Sequence, residues 1–135
     1  MIRVYTDMAA DLFHIGHLNL LKRAKSVGDY LIVGVHSDEQ IRSYKRDPVF
    51  KEEDRYEIMR CCKYVDEIIE EAPLIMTESF LKEHKIDFVV RGDDVSEELL
   101  SQQADPIRMG IMRYVPRTEG VSTSQIIKRI KNGTH

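Results

Sequence analysis

The stretch Tyr30-Leu31-Ile32-Val33-Gly34-Val35 is apolar over the full length of a strand, and it constrains the fold more than any other feature of this chain. A strand with one face in water alternates apolar and polar residues. An unbroken run belongs to a strand covered on both faces, the condition of parallel sheets wrapped by helices. The flanking sequence agrees. Ile2-Arg3-Val4-Tyr5-Thr6 reads as a first strand, and Ile15 to Ser26 as the helix that follows it. After the apolar run come a short helix, Asp38 to Tyr44, and a longer one, Glu52 to Tyr64. Asp66-Glu67-Ile68-Ile69 is a weaker strand, and Thr77 is placed to cap a helix from Glu78 to Lys85. Asp87-Phe88-Val89-Val90-Arg91 is a buried strand ending at Gly92-Asp93-Asp94. Asp105-Pro106 opens another short helix, and Met112-Arg113-Tyr114-Val115 is the last strand. Ser122-Thr123-Ser124-Gln125 has the S-x-x-Q form of a capping box before an amphipathic helix, Ile126 to Lys131.

This alternation predicts an α/β fold, a doubly wound parallel sheet of about five strands with helices on both faces. A length of 135 residues, 42% hydrophobic and 32% charged, fits one domain spanning 1–135. The apolar runs are too short to span a bilayer, the N-terminus lacks the build of a signal peptide, and no amphipathic tail follows Lys131. A cytoplasmic protein without integral membrane contact is expected. Cys61 and Cys62 are neighbours in a helical pattern, unsuited to bridging each other, and are expected reduced and buried or half-buried. With a net charge of -3, the chain has no general attraction for nucleic acid, so any anion must be held by a local cluster of positive groups.

Ligands of such sheets bind at the carboxyl ends of the strands. Four segments follow strands and emerge on that edge: His14-Ile15-Gly16-His17, His36, Gly92-Asp93-Asp94, and Arg117-Thr118-Glu119-Gly120-Val121-Ser122-Thr123. The two imidazoles of the first lie on one face at a helix mouth, where backbone N–H groups already favour an anion. They suit phosphate binding, with a helix-start pair of no function or an i,i+3 metal pair as alternatives. Gly16 lets backbone and ligand approach closely. At the other end of the chain, the Arg117 fork can take phosphate oxygens bidentately, and the Ser122 and Thr123 hydroxyls open a second helix N-terminus.

The motifs Asp11-Leu12-Phe13-His14-Ile15-Gly16-His17, Val35-His36-Ser37-Asp38-Glu39, Tyr64-Val65-Asp66-Glu67, Arg91-Gly92-Asp93-Asp94 and Arg117 to Thr123 together resemble the cytidylyltransferases that make CDP-alcohols, within the HxGH nucleotidyltransferase superfamily. HxGH alone also resembles class I aminoacyl-tRNA synthetases and adenylyltransferases; the RTEGxST segment points to the CTP-using branch. The resemblance covers nearly the whole chain and implies a Rossmann-like fold. The reaction it implies is attack by a substrate phosphate oxygen on the α-phosphorus of CTP, giving pyrophosphate and a CDP-alcohol for phospholipid or surface-polymer synthesis. The acceptor is a small phosphoalcohol of the phosphoethanolamine and phosphocholine class, with glycerol 3-phosphate or a phosphonate as alternatives, and an adenylyltransferase of the same fold as a further one.

By the same resemblance, His14, His17, Lys45 and Arg117 are the catalytic candidates. Gly16, Arg55, Asp94, Thr118, Ser122 and Thr123 are the candidates for CTP binding. Lys45 matches a loop lysine that reaches the acceptor phosphate and the α-phosphate; by position alone it is equally a solvated surface lysine. Arg55 matches an arginine near the active site, or is a plain helix-face residue. Asp93 and Asp94 would bind Mg²⁺, a ribose or an amine headgroup, or cap the next helix. Asp11 would orient an imidazole or cap. Mg²⁺ is expected with CTP and no metal ligands are assigned. Tyr64-Val65-Asp66-Glu67 resembles a subunit-interface segment, implying a homodimer. Asp7-Met8-Ala9-Ala10-Asp11 departs from the family's G-x-F-D pattern: Met8 removes a glycine's freedom and Ala10 an aromatic wall. Leu74 stands where choline enzymes carry tryptophan, so an aromatic cage for a quaternary ammonium is lacking.

Overall fold

Successive side chains of a strand point to opposite faces, and here both faces are apolar. The computed structural model describes residues 1–93 and 96–133. Its strands are β1 (Arg3–Met8), β2 (Tyr30–Val35), β3 (Glu67–Glu70), β4 (Phe88–Gly92) and β5 (Met112–Val115). Its helices are α1 (Ile15–Val27), α2 (Asp38–Tyr44), α3 (Glu52–Arg60), α4 (Glu78–Glu83), α5 (Glu97–Gln102), α6 (Ala104–Arg108) and α7 (Thr123–Asn132). The strands form one parallel sheet in the order β3-β2-β1-β4-β5. Val4, Leu31, Val33 and Val90 face Leu21 and Ala24 of α1 and Tyr56 and Met59 of α3. Tyr5, Ile32 and Val89 face Phe80 and Leu81 of α4 on the other side. The two-faced cover expected from the apolar run is therefore present, and the α/β doubly wound class with it.

Strand order reverses between β1 and β4, so the crevice at the carboxyl end of the sheet opens there. The loop after β1, with Ala10 and Leu12 at positive φ (58° and 50°), leads directly into α1. Left-handed backbone at these non-glycine residues is sustained because the surroundings hold it: Asp11 between them is buried and its carboxylate accepts the Val49 and Phe50 N–H groups at 2.8 and 2.9 Å.

Several boundaries differ from the sequence expectation. β1 continues to Met8, so Asp7 and Met8 belong to a strand, and Met8 sits in extended backbone that requires no glycine. α3 stops at Arg60 because the chain turns, with the Cys62 N–H donating to Met59 and the Val65 N–H to Cys62. That turn leaves Cys61 exposed, contrary to expectation, while half-buried Cys62 packs on the core; both thiols are free. α4 ends at Glu83, followed by Lys85 at φ 53°. α5 was not anticipated; Ser96 caps it by accepting the Leu99 N–H. α7 begins at Thr123, three residues early, with Ser122 Oγ accepting the Gln125 N–H at 3.1 Å.

Gly34 in β2 is required by close approach: a Cβ there would strike the Tyr5 phenol oxygen and lie 2.6 Å from Ala72 Cβ. Gly34→Ala should therefore cost about 1–3 kcal/mol of stability by overpacking. Tyr5→Phe alone should cost nothing, because that phenol oxygen is buried without a hydrogen-bond partner among the described residues. Added to Gly34→Ala it should recover part of the loss. Urea denaturation of the single and double variants checks this, and strictly additive losses would place the clash elsewhere.

Candidate active site

The loops after β1, β2, β4 and β5 meet around a cavity of about 420 Å³, bounded by the N-termini of α1 and α7 and by Lys45 at the end of α2. His14, Gly16, His17, Lys45, Arg117, Thr118, Ser122 and Thr123 all line it. The structure thus brings together eight residues that lie at three separate places in the chain.

At the first of these places the histidines cap their own helix. His14 is the N-cap of α1, and its Nδ1 accepts the Gly16 N–H at 3.0 Å; His17 Nδ1 reaches back to accept the His14 N–H at 3.1 Å. This is a reciprocal capping box made of two imidazoles. Because both Nδ1 atoms accept from backbone N–H groups, each ring in its neutral form carries its proton on Nε2. No hydrogen bond from either Nε2 is made within the described residues, so both remain donors for a ligand. The rings lie 4.0 Å apart between centroids, with Phe13 stacked on His17 at 5.5 Å. Burial, and then the Lys45 charge, hold His14 below its ordinary value. Burial, His14 and Lys45 push His17 down to about 3. Gly16 serves this pair directly: a Cβ there would come within 2.7 Å of His14 Cε1, so its small size accommodates the imidazole.

Lys45 terminates α2, its N–H bonded to the Ile41 carbonyl at 2.9 Å. It lines the same cavity as both imidazoles, its charge lowers their proton affinity, and burial followed by Arg46 lowers its own. On the α7 side, Thr118 Oγ1 accepts from Asn19 Nδ2 at 2.8 Å and keeps its own O–H to donate, as does the Ser122 hydroxyl that accepts from Gln125. Thr123 is buried and donates its hydroxyl to the Asp11 carbonyl at 3.0 Å, so its side chain fastens α7 to the loop after β1. The Arg117 N–H donates to Asp93 Oδ1 at 3.2 Å. Asp94 lies outside the described residues.

Arg55 is not brought into the cavity. It is 1% exposed, neither a surface helix-face residue nor a lining one. Its guanidinium donates to the Phe50, Ala9 and His36 carbonyls at 3.0, 2.6 and 2.7 Å and to the Asp38 carboxylate at 2.7 Å. Asp11 likewise neither touches an imidazole nor caps α1, because its oxygens take the Val49 and Phe50 N–H groups and the Arg46 guanidinium. No group of three or more His, Cys, Asp or Glu side chains able to hold a metal occurs among the described residues. In the segment Tyr64 to Glu67, Asp66 accepts the Leu31 N–H at 2.8 Å and pairs with Lys25.

One set of lining residues, of which the sequence places only His36 at this edge, receives no role from it. The β1–β4 register pairs Tyr5 with Val89; two residues further along each strand are Asp7 and Arg91. Arg91 Nε and Nη2 lie 2.6 and 2.5 Å from Asp7 Oδ1. Asp7 Oδ2 accepts from His36 Nε2 at 3.2 Å, and His36 Nδ1 accepts the Tyr44 O–H at 3.0 Å. Burial raises the Asp7 carboxyl, but Arg91 and His36 outweigh it and hold the group below its ordinary value. Burial, with Asp7 next, pushes the Tyr44 phenol up to about 12, which keeps it a donor. The signal in the sequence was the position of Asp7 and Arg91 at the ends of two strands, but it becomes readable only once those strands are known to be neighbours. Leu99 and Gln102 of α5 line the same cavity.

Parallel strands ending at a crevice lined by Lys45, Arg91 and Arg117 between two helix N-termini define an α/β domain of the doubly wound class. The chain belongs to the cytidylyltransferase-like family, which its residues 9–129 match. It is 42% identical over 96% of its length to the ethanolamine-phosphate cytidylyltransferase of Dictyostelium discoideum, and 43% identical over 96% to the choline-phosphate cytidylyltransferase A of Mus musculus. It spans 36% of the length of each of these curated relatives. Among solved structures it is similar to a lipopolysaccharide core biosynthesis protein from Thermoplasma volcanium, with a TM-score of 0.74 and 28% identity over 88% of this chain and 99% of that one.

The low affinity of His17 for a proton links folding to pH. The unfolded chain takes up this proton near the ordinary value of 6.5, the folded chain only near 3, so the unfolded state binds more protons between those limits. Stability should fall as pH is lowered through that window. His17→Gln keeps a side chain able to accept the His14 N–H but does not titrate. Its stability should decline less steeply between pH 6.5 and 3.5, as read from urea midpoints; equal slopes would show that His17 is not the linked group.

Proposed function

We propose that this chain transfers CMP from CTP to a small phosphoalcohol, releasing pyrophosphate and leaving a CDP-alcohol. The observation that carries the reading is the pair of neutral imidazoles whose Nε2–H groups make no hydrogen bond among the described residues, sharing a cavity with Lys45 and facing the N-terminus of α7. An acceptor phosphate oxygen attacks the α-phosphorus, the new P–O bond forms, and the bond to the bridging oxygen of the β-phosphate breaks. Negative charge moves toward the leaving pyrophosphate, and fixed donors already aimed at that region stabilise it without reorganising. Imidazoles held neutral are suited to donate hydrogen bonds, and Lys45 to follow charge between acceptor and α-phosphate. The free N–H groups of α7, with Ser122, Thr118 and Arg117, support the β- and γ-phosphates.

Mg²⁺ enters this reading as part of the CTP substrate. The carboxylates among the described lining residues, Asp7 and Asp11, already have their oxygens taken by guanidinium, imidazole and backbone donors, and they do not suit an additional metal ion. The reading treats the chain as one catalytic domain. A homodimer and a cytoplasmic setting are proposed on the family resemblance; no helix of the described residues is long and apolar enough to cross a membrane. Sedimentation equilibrium tests the dimer.

Pyrophosphate release with CTP and with ATP, against a panel of phosphoalcohols, tests the activity; a preference for ATP would favour the adenylyltransferase reading. His14→Ser separates capping from chemistry, because serine retains the N-cap contact and lacks the Nε2 donor. Its melting temperature should stay close to wild type, while turnover falls by an amount corresponding to about 2.7–4 kcal/mol of barrier. Turnover equal to wild type in the folded variant would remove His14 from the reaction. Lys45→Ala should weaken both turnover and acceptor use, whereas Lys51→Ala, at the solvent-exposed start of α3, should leave both unchanged; small equal effects would return Lys45 to the role of a solvated surface residue.

A further inference from the structure

The cavity contains a second set of charges that the phosphate chemistry does not use. Asp7, Arg91, His36 and Tyr44 form a continuous hydrogen-bonded group, and Tyr44 immediately precedes Lys45, so this group lies beside the lysine expected to touch the acceptor. Leu74 of the segment after β3 lines the same cavity. A cationic headgroup is ordinarily held by a free carboxylate or an aromatic cage. Among the described lining residues neither is offered. Asp7 is fully covered and its two oxygens are occupied by Arg91 and His36; Asp11 is occupied by backbone N–H groups and Arg46. Tyr44 is the one Phe, Tyr or Trp among the described lining residues, and its hydroxyl is bonded to His36. The charged side chains there that are not acidic are Arg23, Lys45, Arg91 and Arg117.

We infer that Arg91 sets acceptor specificity, selecting a phosphoalcohol whose far end carries hydroxyl or carboxylate oxygen and rejecting one that ends in an ammonium. The inference rests on the transfer reaction proposed above and narrows its acceptor. Arg91 places Nε and Nη2 on one oxygen of Asp7, which fixes the guanidinium plane, while Nη1 makes no hydrogen bond within the described residues. Its side chain is 13% exposed, so this remaining donor works in a poorly solvated place, where an incoming ammonium meets like charge and an incoming oxygen completes the fork. Leu74, Leu99 and the neutral Gln102 add no compensating negative charge. Discrimination of this kind arises from the unfavourable contact as much as from the favourable one.

Three acceptors that differ mainly in their terminal group test this: phosphoethanolamine, 2-hydroxyethyl phosphate and phosphoglycolate, each assayed for pyrophosphate release with CTP and the intact protein. The hydroxyl or carboxylate acceptor should exceed phosphoethanolamine in kcat/KM by at least about tenfold. Arg91→Met, which leaves Asp7 unneutralised, should shift that ratio toward phosphoethanolamine, with the change in acceptor KM larger than that in CTP KM. Should that variant fail to fold, Asp7→Asn keeps the guanidinium and removes the opposing charge, and it should widen the preference for oxygen; an unchanged ratio in a folded variant overturns the assignment. Phosphoethanolamine used by wild type as well as or better than the other two overturns it and leaves the transfer reaction standing. Pyrophosphate release with none of the three acceptors overturns both.

Discussion

A buried guanidinium holds this site together. Taking an arginine out of water is costly unless its donors are satisfied, and the four groups that satisfy Arg55 come from three separate segments: the Ala9 carbonyl after β1, the His36 carbonyl and Asp38 carboxylate where β2 gives way to α2, and the Phe50 carbonyl before α3. Asp11 is its acidic counterpart and ties the loop after β1 to residues 46–50 from the other direction. Between them, the two charges fix the frame on which Lys45 and the imidazoles stand. A family-matched arginine can therefore support the cavity without lining it.

The α1 N-terminus shows how local structure and chemistry use the same atoms. A helix start normally leaves backbone N–H groups to be capped by a small oxygen-bearing side chain. Here imidazole nitrogens do it, and the consequence is electronic as well as structural. The capping contact takes Nδ1 as an acceptor, which disfavours protonation and puts the remaining proton on Nε2. Neighbouring Lys45 adds to the same bias. The spacing of two residues between the histidines is what a reciprocal box requires, since the N-cap and N3 positions face each other. Gly16 follows from that geometry, because a larger residue at N2 would collide with the N-cap ring.

The sheet was legible because its signal is periodic and long: a buried parallel strand needs apolar residues on both faces, and β2 and β4 have them. Seven of the eight lining candidates were legible because their segments follow strands, whereas Lys45 follows a helix and was marked only by the family resemblance. What remained hidden depended on distant partners. Nothing local marks Arg55 as buried, since its helix begins with Glu52, Glu53 and Asp54 and reads as a solvent face. Thr123 looks like a phosphate ligand until the Asp11 carbonyl, 112 residues away, takes its proton. α5, Glu97–Gln102, is a short helix with only two apolar residues, and its capping serine, Ser96, is the main sign. The strand pattern of β1 reads only to Thr6 because Asp7 interrupts it, and a carboxylate inside a covered strand is tolerable here because the adjacent strand supplies Arg91.

Charge balance links these observations to the net charge of -3. A chain with more acids than bases has no long-range attraction for a polyanion, so the binding of a triphosphate proposed above would have to come from arrangement over a few ångströms. The cavity achieves this by engaging its acids internally. Asp7 faces Arg91 and His36, and Asp11 faces backbone N–H groups and Arg46. Each pairing removes a repulsive carboxylate from the view of a phosphate while leaving other donors turned toward the cavity. Neutral imidazoles then contribute directed N–H groups without adding positive charge that would bind substrate and transition state equally. Lys45 and Arg117 supply the net charge, and two helix N-termini supply backbone donors that cannot titrate away. The arrangement thus combines fixed backbone and imidazole dipoles with the Lys45 and Arg117 cations, the combination suited to the proposed transfer, whose charge moves along a phosphate chain without a covalent intermediate on the protein.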